Sequence, residues 1–374
     1  MVYNYIVKNH YLRRFVVVKR IGVMTSGGDC PGLNSAIRAV VKSAINNFNY
    51  EVIGFRDGFR GLVQNRFRKM GLSDVSGIID RGGTILGTTN RYNPFAVSID
   101  KDGEKAVRDM SDRIVDNLNM HKIDCLVVIG GDATIRYANM LTEKGVPIVA
   151  IPKTIENDIY GTDMSFGFMT AVNTATNAID KLHSTAESHH RVMILEVMGR
   201  VSGWVALESG IASGADVILI PEIPYDINKV ARALLERRNA GKSFSIIVMS
   251  EGARAKDIMP DDISEDDKTS YFSGSSIFLA KELERLTSLE NRITVLGYLQ
   301  RGGEPSAYDR ILATRFGASA VSIIDKGEFN RMVCVDHEQI KSVPLKDVAN
   351  KVRTVPVNGE MVQIAKYMDV CLGD

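Results

Sequence analysis

The chain has 374 residues, of which 45% are hydrophobic and 24% charged, as is typical of a globular protein long enough for two lobes. Its formal net charge of +1 excludes the bulk electrostatic field that favours nucleic acid or an anionic membrane, so any phosphate binding must be local. No apolar run approaches the roughly 18 residues of a membrane-spanning helix. The four cysteines follow neither a paired nor a metal-binding spacing. We therefore expect reduced thiols and a cytoplasmic location, with neither nucleic acid nor membrane as a partner.

Strand and helix patterns alternate along most of the chain. Apolar runs of strand length occupy residues 15–18, 20–24, 52–55, 124–129, 146–151, 192–197, 217–220 and 244–249. Helical periodicity covers residues 32–47 and 134–144. The alternation predicts an α/β fold with a mostly parallel, doubly wound sheet. The acidic segment 257–267 contains proline and few apolar residues, which predicts a surface loop.

Two glycine-rich segments in the first hundred residues suit phosphate. Gly27 and Gly28 follow a predicted strand and precede the helix that opens at Gly32. Glycines let the backbone approach a ligand closely, and the N–H groups of a helix N-terminus favour anions. A tight strand-to-helix turn explains the same residues. The segment 81–91 combines glycines, threonines and Arg91, and it is either a loop that contacts phosphate or nucleotide or a flexible surface loop.

A third glycine-rich strand end carries a carboxylate. Gly131 and Asp132 follow the strand predicted at 124–129, and Ala133 and Thr134 begin the next helix. Asp132 is either the cap of that helix or a ligand of Mg²⁺, which binds one or two carboxylates together with substrate phosphates. Three glycine-rich strand ends in one chain favour the magnesium ligand.

The densest group of reactive side chains lies in residues 152–158. Lys153, Thr154, Glu156 and Asp158 follow an apolar run that predicts a buried strand. Ligands of open α/β sheets bind beyond the carboxyl ends of the strands, so we expect these side chains to line a cleft. A carboxylate there can take a proton from a hydroxyl, and the lysine can neutralise phosphate. A polar surface loop is the alternative.

Further strand ends in the second half of the chain carry arginines and a glutamate. These residues are Met198, Gly199, Arg200, Glu251, Arg292, Tyr298 and Arg301. An arginine can grip a phosphate through two parallel hydrogen bonds, although a surface ion pair is the commoner role of any single arginine. Together, the glycine loops, arginines and carboxylates at successive strand ends fit phosphoryl transfer between anionic substrates.

Taken together, these motifs resemble the 6-phosphofructokinases of the A family. The resemblance covers roughly residues 20–340, and it is strongest to the branch shared by plant and many anaerobic bacterial enzymes. The motifs occur in the family's order and are Thr25-Ser-Gly-Gly-Asp29, Gly130-Gly-Asp132, Pro152-Lys-Thr-Ile155 with Asn157-Asp158, Met198-Gly-Arg200, Ser250-Glu-Gly252 and Gly297-Tyr-Leu-Gln-Arg-Gly-Gly303.

The resemblance implies two lobes, each a mostly parallel doubly wound sheet with helices on both faces, and a sugar site in the cleft between them. It implies a donor lobe for ATP and magnesium at residues 15–168 with 282–349. The sugar-phosphate lobe is then expected at residues 169–281 with 350–374.

The resemblance also implies roles for individual residues. The residues expected to bind the donor are Gly27, Gly28, Arg91, Gly131, Ala133 and Thr134, and the residue expected to bind Mg²⁺ is Asp132. The catalytic segment comprises Lys153, Thr154, Glu156 and Asp158. The residues expected to bind fructose 6-phosphate are Thr154, Met198, Gly199, Arg200, Glu251, Tyr298 and Arg301. Arg191 and Arg292 would reach a neighbouring subunit's sugar-phosphate site, which implies a dimer or tetramer.

Three residues depart from the family pattern. Glu156 replaces an aspartate as catalytic base, and a displacement of about 1 Å can cost on the order of 100-fold in rate. Ala133 stands where glycine accompanies ATP and aspartate accompanies pyrophosphate, and it has neither the bulk nor the charge of aspartate. Tyr137 replaces a glycine near the adenine pocket and would either fill that pocket or stack on the base. Lys153 occurs with both donors and does not decide between them.

The leading hypothesis is a kinase that phosphorylates O1 of fructose 6-phosphate with ATP. A pyrophosphate-dependent enzyme is the first alternative. A non-catalytic sugar-phosphate-sensing subunit is the second alternative, because Glu156 and Ala133 depart from the family pattern at positions that take part in the reaction. A kinase for a related ketose phosphate, such as sedoheptulose 7-phosphate, is the third, although Arg200 and Glu251 argue against a very different acceptor.

Overall fold

The protein is described by a computed structural model that covers residues 19–101, 104–256 and 274–374. The strand predicted at 15–18 and the acidic loop predicted at 257–267 lie outside the described residues. Within the described residues the chain forms an eight-stranded sheet, a four-stranded sheet and a separate two-stranded hairpin.

The strands are β1 Arg20–Ser26, β2 Glu51–Phe55, β3 Phe67–Met70, β4 Val97–Lys101, β5 Glu104–Arg108, β6 Cys125–Gly130, β7 Ile148–Thr154, β8 Phe166–Gly167, β9 Val192–Val197, β10 Val217–Leu219, β11 Ser245–Ser250, β12 Asn291–Val295, β13 Arg331–Asp336 and β14 Gln339–Pro344. The helices are α1 Leu33–Phe48, α2 Gly58–Val63, α3 Ser111–Met120, α4 Asp132–Glu143, α5 Phe168–His189, α6 Trp204–Ala212, α7 Ile227–Asn239, α8 Ser275–Thr287, α9 Ala307–Asp325, α10 Leu345–Val348 and α11 Glu360–Tyr367. Short 3₁₀ helices occupy Ser73–Val75 and Gly297–Arg301.

The first lobe is built on the sheet ordered β14-β13-β7-β6-β1-β2-β3, with β8 beside β7. Its central strands pair in parallel, and β14 and β3 are antiparallel edge strands. Because side chains alternate along each strand, the sheet has a core on each face. One core joins it to α1 and α9, and the other to α2, α3 and α4.

The second lobe is built on the sheet ordered β10-β11-β9-β12, in which all pairs are parallel. One face packs on α5, α6 and α11, and the other on α7 and α8. The two lobes are therefore α/β layers with helices on both faces, which confirms the predicted fold class.

One predicted lobe boundary needs correction. Strand β12 pairs in parallel with β9, with Asn291 opposite Val192, so it belongs to the second sheet. The boundary expected at residue 282 assigned this strand to the first lobe. Most of β12 is only partly buried because it is an edge strand, so its sequence carries no strong apolar run. The second lobe therefore extends to at least Val295.

Two elements reach further than their predicted bounds, and both matter for the site. Strand β7 continues to Thr154, three residues past its predicted end at Ile151, and helix α4 begins at Asp132, two residues before its predicted start. The polar residues at these ends are thus fixed by regular hydrogen-bonded structure. In the part of the chain that the structure describes, no helix has the length and apolar character to cross a membrane.

Helices α1 and α9 approach each other so closely that one glycine is required. A Cβ atom at Gly317 of α9 would lie 2.6 Å from the Cβ of Ala39 and 2.7 Å from the carbonyl oxygen of Ala36. These are atoms of the neighbouring helix and its backbone, which cannot move away without separating the two helices.

We expect Gly317→Ala to lower the free energy of unfolding by about 1–3 kcal/mol because the added methyl overpacks this contact. The loss should appear although alanine favours a helix by about 1 kcal/mol over glycine. Urea unfolding followed by circular dichroism measures it. Gly71→Ala is the control, since its nearest contact would be an ordinary 3.6 Å to Asp74. A Gly317→Ala protein as stable as the unmodified chain would contradict the packing argument.

Candidate active site

The topology of the first sheet creates a crevice at the carboxyl ends of β1 and β6. From β1 the chain continues to β2 on one side, and β6 lies on the other side of β1. Such switch points are where open α/β sheets bind ligands. Gly27 follows β1, Asp132 follows β6, and Lys153 lies at the end of the adjacent β7.

The loop after β1 is held by the segment 81–91. Gly27 has φ +86°, its N–H donates to the carbonyl of Thr89 over 3.1 Å, and its own carbonyl accepts a bond of 2.6 Å from the Thr88 hydroxyl. The Thr25 hydroxyl lies 3.0 Å from that of Thr84. Threonine hydroxyls of the second segment therefore fix the first loop, a role that the sequence did not reveal.

Lys153 approaches this loop from below. A Cβ atom at Gly27 would lie 3.5 Å from the Lys153 Nζ and 3.4 Å from the Thr134 hydroxyl oxygen. The ammonium donates to the carbonyl oxygen of Gly28, and only 4% of the residue is exposed. Burial, reinforced by the charge of Arg301, lowers the pKa of Lys153. The loop thus has a desolvated cation beneath it.

Arg301 reaches the same loop from the second lobe. It ends the 3₁₀ helix Gly297–Arg301, and its guanidinium lies over the ring of Tyr298, 5.3 Å from the ring centroid. A Cβ atom at Gly28 would lie 2.7 Å from Nη1 of Arg301. A side chain at position 28 would therefore displace the guanidinium. Two cations therefore converge on one stretch of glycine backbone, an arrangement that suits an anion.

Glu156 lies in the turn after β7, where the two lobes meet. Burial raises its pKa to about 7, with further contributions from the charges of Asp158 and Glu251, while the backbone N–H and the guanidinium of Arg200 act against the shift. The hydroxyl of Ser202, from the second lobe, donates to the Glu156 carbonyl over 3.1 Å. The arrangement is a carboxyl group able to exchange a proton near neutral pH.

Asp132 and Asp158 form a pair of carboxylates beside this turn. Asp132 is the first residue of α4 and makes no capping hydrogen bond, so it does not act as the helix cap that the sequence allowed. Oδ1 of Asp158 is buried without a hydrogen-bond partner. Burial raises the pKa of Asp158, and the nearby Asp132 raises it further, against a hydrogen bond from the Thr154 hydroxyl. Uncompensated carboxylates of this kind suit a hard cation such as Mg²⁺.

The second lobe contributes the segment after β9. Gly199 has φ +144°, and a Cβ there would lie 2.5 Å from the carbonyl oxygen of Ser202. The Met198 N–H donates to Oε1 of Gln300 over 3.2 Å, which links this segment to the Arg301 loop. Gln300 is fully buried, and although it lies in the motif 297–303, the sequence assigned it no role.

Arg200 and Glu251 face each other across this part of the cleft. Burial raises the pKa of Glu251, and the charge of Arg200 is the largest effect in the opposite direction. The backbones are in close contact, since a Cβ at Gly252 would lie 2.1 Å from the carbonyl oxygen of Arg200. The cleft therefore offers a cation and a carboxylate side by side, opposite Glu156.

Two predicted site residues lie elsewhere in the same lobe. Arg191 precedes β9, and Arg292 lies near the start of β12, whereas Arg200 follows the carboxyl end of β9. At about 3.3 Å per residue, the six residues of β9 separate the two ends by about 20 Å. Both arginines pair with Glu290, Arg191 over 2.8 Å. Within the chain they do not join the cleft.

A second cavity, of about 560 Å³, opens beyond the glycine loop. Thr89, whose carbonyl holds Gly27, lines it together with three arginines, Arg60, Arg91 and Arg113. The cavity therefore adjoins the glycine loop through Thr89, and its lining is cationic.

The residues near α4 leave this end of the site open. Ala133 is exposed and brings no charge. The Tyr137 ring packs edge-to-face on Phe59, with centroids 5.7 Å apart, and 6.1 Å from Phe95. Tyr137 thus belongs to the core of the lobe, and it does not line the arginine cavity.

Comparison with known proteins shows the family of this chain. A family profile described as phosphofructokinase matches residues 20–324. The ATP-dependent 6-phosphofructokinase 2 of Clostridium perfringens is 48% identical over 96% of this chain and 99% of its own length. The ATP-dependent 6-phosphofructokinase of Spirochaeta thermophila is 44% identical over 95% of this chain and 98% of its own.

A solved structure gives the same result at the level of the fold. Phosphofructokinase from Saccharomyces cerevisiae superposes with a TM-score of 0.74 and 30% identity. The match covers 94% of this chain and 47% of the yeast chain, so the present chain corresponds to about half of that longer protein.

The contact between Gly28 and Arg301 can be tested with a single methyl group. We expect Gly28→Ala to displace the guanidinium, a flexible group, and to weaken binding of inorganic phosphate about tenfold or more, since a charged hydrogen bond contributes about 1.5–3 kcal/mol. Isothermal calorimetry measures the affinity. Gly302→Ala, next to Arg301, is the matched control, because its Cβ would meet nothing within 4 Å. Equal phosphate affinity in both variants would refute the site.

Proposed function

The chain belongs to the phosphofructokinase family, and we propose that it transfers a phosphoryl group from ATP to O1 of fructose 6-phosphate, giving fructose 1,6-bisphosphate in glycolysis. One observation carries the proposal. Lys153 and Arg301 converge on the glycine backbone after β1, and the carboxyl group of Glu156 lies at the same junction of the lobes with a pKa raised to about 7. These are the two requirements of the reaction, a cradle for transferring phosphate and a proton acceptor.

In this proposal Glu156 takes the proton from the O1 hydroxyl as O1 attacks the terminal phosphorus of the donor. A base with a pKa near the working pH is the most effective, and burial against Asp158 and Glu251 supplies that pKa. The Ser202 hydroxyl and the Arg200 backbone hold the residue from the second lobe. The Arg200 N–H contacts the carboxyl group of the longer glutamate arm, and the Ser202 hydroxyl contacts the backbone carbonyl of the same residue.

Phosphoryl transfer depends mainly on positioning and charge stabilisation. We assign stabilisation of the transferring group to Lys153 and to the backbone N–H groups of Gly28 and Gly131, with Thr134 at the start of α4 beside them. Asp132 would hold Mg²⁺, which when bound neutralises charge on the donor phosphates. Thr154 and Asp158 complete the catalytic segment.

In this proposal the second lobe binds most of the acceptor, fructose 6-phosphate. We assign its hydroxyls and 6-phosphate to Met198, Gly199, Arg200, Glu251, Tyr298, Arg301 and to Thr154 of the first lobe. Arg191 and Arg292 are about 20 Å from this group along β9, so we assign them to the sugar-phosphate site of a second copy. An oligomer, at least a dimer, is then needed for full activity.

ATP is the donor that the chain's features support. The arginine cavity lies beyond the phosphate loop, where a nucleotide but not pyrophosphate extends. Ala133 brings no carboxylate into the space of an α-phosphate, and Tyr137 packs into the core instead of filling the cavity. The four cysteines are free and three of them are buried, which suits the reducing cytoplasm.

Purified protein assayed with each donor tests the proposal. We expect fructose 1,6-bisphosphate to form with ATP and Mg²⁺ and not with pyrophosphate. The readouts are the heat of the reaction, measured by calorimetry, and chromatography of the product. Sedoheptulose 7-phosphate at the same concentration tests the acceptor. Product from pyrophosphate alone would overturn the donor, and binding of fructose 6-phosphate without turnover on either donor would overturn the catalytic assignment.

The pKa of Glu156 predicts how the rate depends on pH. A base with a pKa of about 7 is protonated below it, so kcat/KM should fall about tenfold per unit below about pH 6 and level off above about pH 8. Glu156→Gln should lose about 100-fold or more in kcat and flatten this limb, while Glu156→Asp should retain it. Glu208, whose pKa burial also raises to about 7, is the control. Loss of the limb in Glu208→Gln instead would reassign the base.

A further inference from the structure

Residues 352–355, which we call the C-terminal strap, lie directly against the catalytic turn. The strap connects α10, in the first lobe, with α11, in the second. Val352 forms an antiparallel bridge with Ile159, and the Arg353 N–H donates to the carbonyl of Asp158 over 2.8 Å. Nη1 of Arg353 donates to the carbonyl of Asn157 over 3.1 Å. The strap therefore binds the two backbone carbonyls that follow Glu156.

The same strap binds the second lobe. The guanidinium carbon of Arg353 lies 4.1 Å from the centroid of the Trp204 ring. The Val355 N–H donates to Oε1 of Glu222 over 2.7 Å, and the same oxygen accepts the Gly203 N–H over 3.0 Å. Gly203 and Trp204 begin α6 just after the segment that carries Arg200. One short segment thus joins the turn that carries Glu156 to the helix start that follows the Arg200 segment.

The turn needs this support because its backbone is unusual. Asn157 has φ +52°, a left-handed conformation that asparagine tolerates but that still requires fixing by its surroundings. Its side-chain oxygen accepts the Ser165 N–H over 3.0 Å, so the first lobe holds one side of the residue. Arg353 holds the other side through the Asn157 carbonyl.

The contact between Arg353 and Trp204 is also energetically favourable where it lies. Burial lowers the pKa of Arg353, because a buried site disfavours a charged group. The contact with Trp204 offsets part of this cost, since the face of an indole ring is the strongest aromatic partner for a cation. The guanidinium can stack on the indole ring while one of its N–H groups donates, in the plane of the guanidinium, to the carbonyl of Asn157. A flat fork is required for both contacts at once.

We propose that Arg353 is a positioning residue, which fixes the turn of Glu156 against Trp204 and thereby sets the base relative to the sugar-phosphate site. Its effect on the rate rests on the proposed function, whereas the contact itself does not. Substrate binding does not depend on Arg353, since it touches neither the glycine loop nor Arg200. Its loss should change the chemical step.

Arg353→Met tests the proposal, because methionine keeps the aliphatic packing and removes the fork. We expect kcat to fall about 10- to 100-fold, as a displacement of about 1 Å would cause, with KM for fructose 6-phosphate within about threefold. Arg353→Lys should be intermediate, since an ammonium can stack on Trp204 or donate to Asn157 but lacks the planar fork. A Met variant with unchanged kcat, or with a raised KM and normal kcat, overturns the proposal.

Lys351→Met is the matched control. Lys351 lies in the same connection, and its ammonium stacks on the exposed Tyr160 ring at 5.0 Å. It should leave kcat and KM unchanged. If Arg353→Met does not fold, as judged by circular dichroism, Arg353→Lys decides alone: a lowered kcat at constant KM supports the proposal, and an unchanged kcat overturns it.

Fluorescence tests the contact independently of turnover. Trp204 is the single tryptophan of the chain, so its emission reports directly on the cation that covers its ring. Arg353→Met should shift this emission, and Lys351→Met should not. Unchanged emission in Arg353→Met overturns the inference even if the unmodified protein is active. A shifted emission in a protein that phosphorylates no sugar would instead contradict the proposed function and leave the contact supported.

Discussion

The site depends on the contact between a buried ammonium and a glycine backbone. Lys153 comes from the end of β7 and donates to the carbonyl of Gly28, so the strand and the loop after β1 are held together by a charge with almost no access to water. Burying a cation is costly unless it has partners. Arg301, which adds a second positive charge from the other lobe, makes the arrangement still less favourable without an anion. Two cations this close together favour the binding of an anion between them, and a side chain at position 28 would displace one of them.

The carboxylates show the opposite imbalance in the same cleft. Glu156, Asp158 and Glu251 each have a raised pKa because burial, and to a lesser degree neighbouring carboxylates, disfavour their ionised forms. For such groups the folded state gains stability from protonation, so ionisation with rising pH removes part of it. Cationic and anionic groups lie close together but are not paired off into simple salt bridges. Such buried, incompletely paired charges are typical of functional sites.

Most of this organisation could be predicted from the sequence because it follows from local patterns. Apolar runs marked the central strands, and the polar residues at their ends became site candidates because parallel strands deliver them to one edge. The edge strand β12 was misassigned because a half-exposed strand has little apolar signal. The antiparallel pair β13 and β14 was not identified at all. Gln300, Ser202 and Arg353 were missed for another reason, since their partners are up to 196 residues away and no local spacing links them.

The interrupted course of the chain through the lobes also constrains how the protein is made. The first sheet begins at β1 but receives β13 and β14 only from residues 331–344, and α9, which covers one of its faces, comes shortly before them. The strands of the second lobe lie between these parts in the sequence, but its helix α11 follows still later, at Glu360–Tyr367. Neither lobe can therefore complete its packing on the ribosome until nearly the whole chain has emerged. The last folding steps of both lobes follow the synthesis of the C-terminal segment.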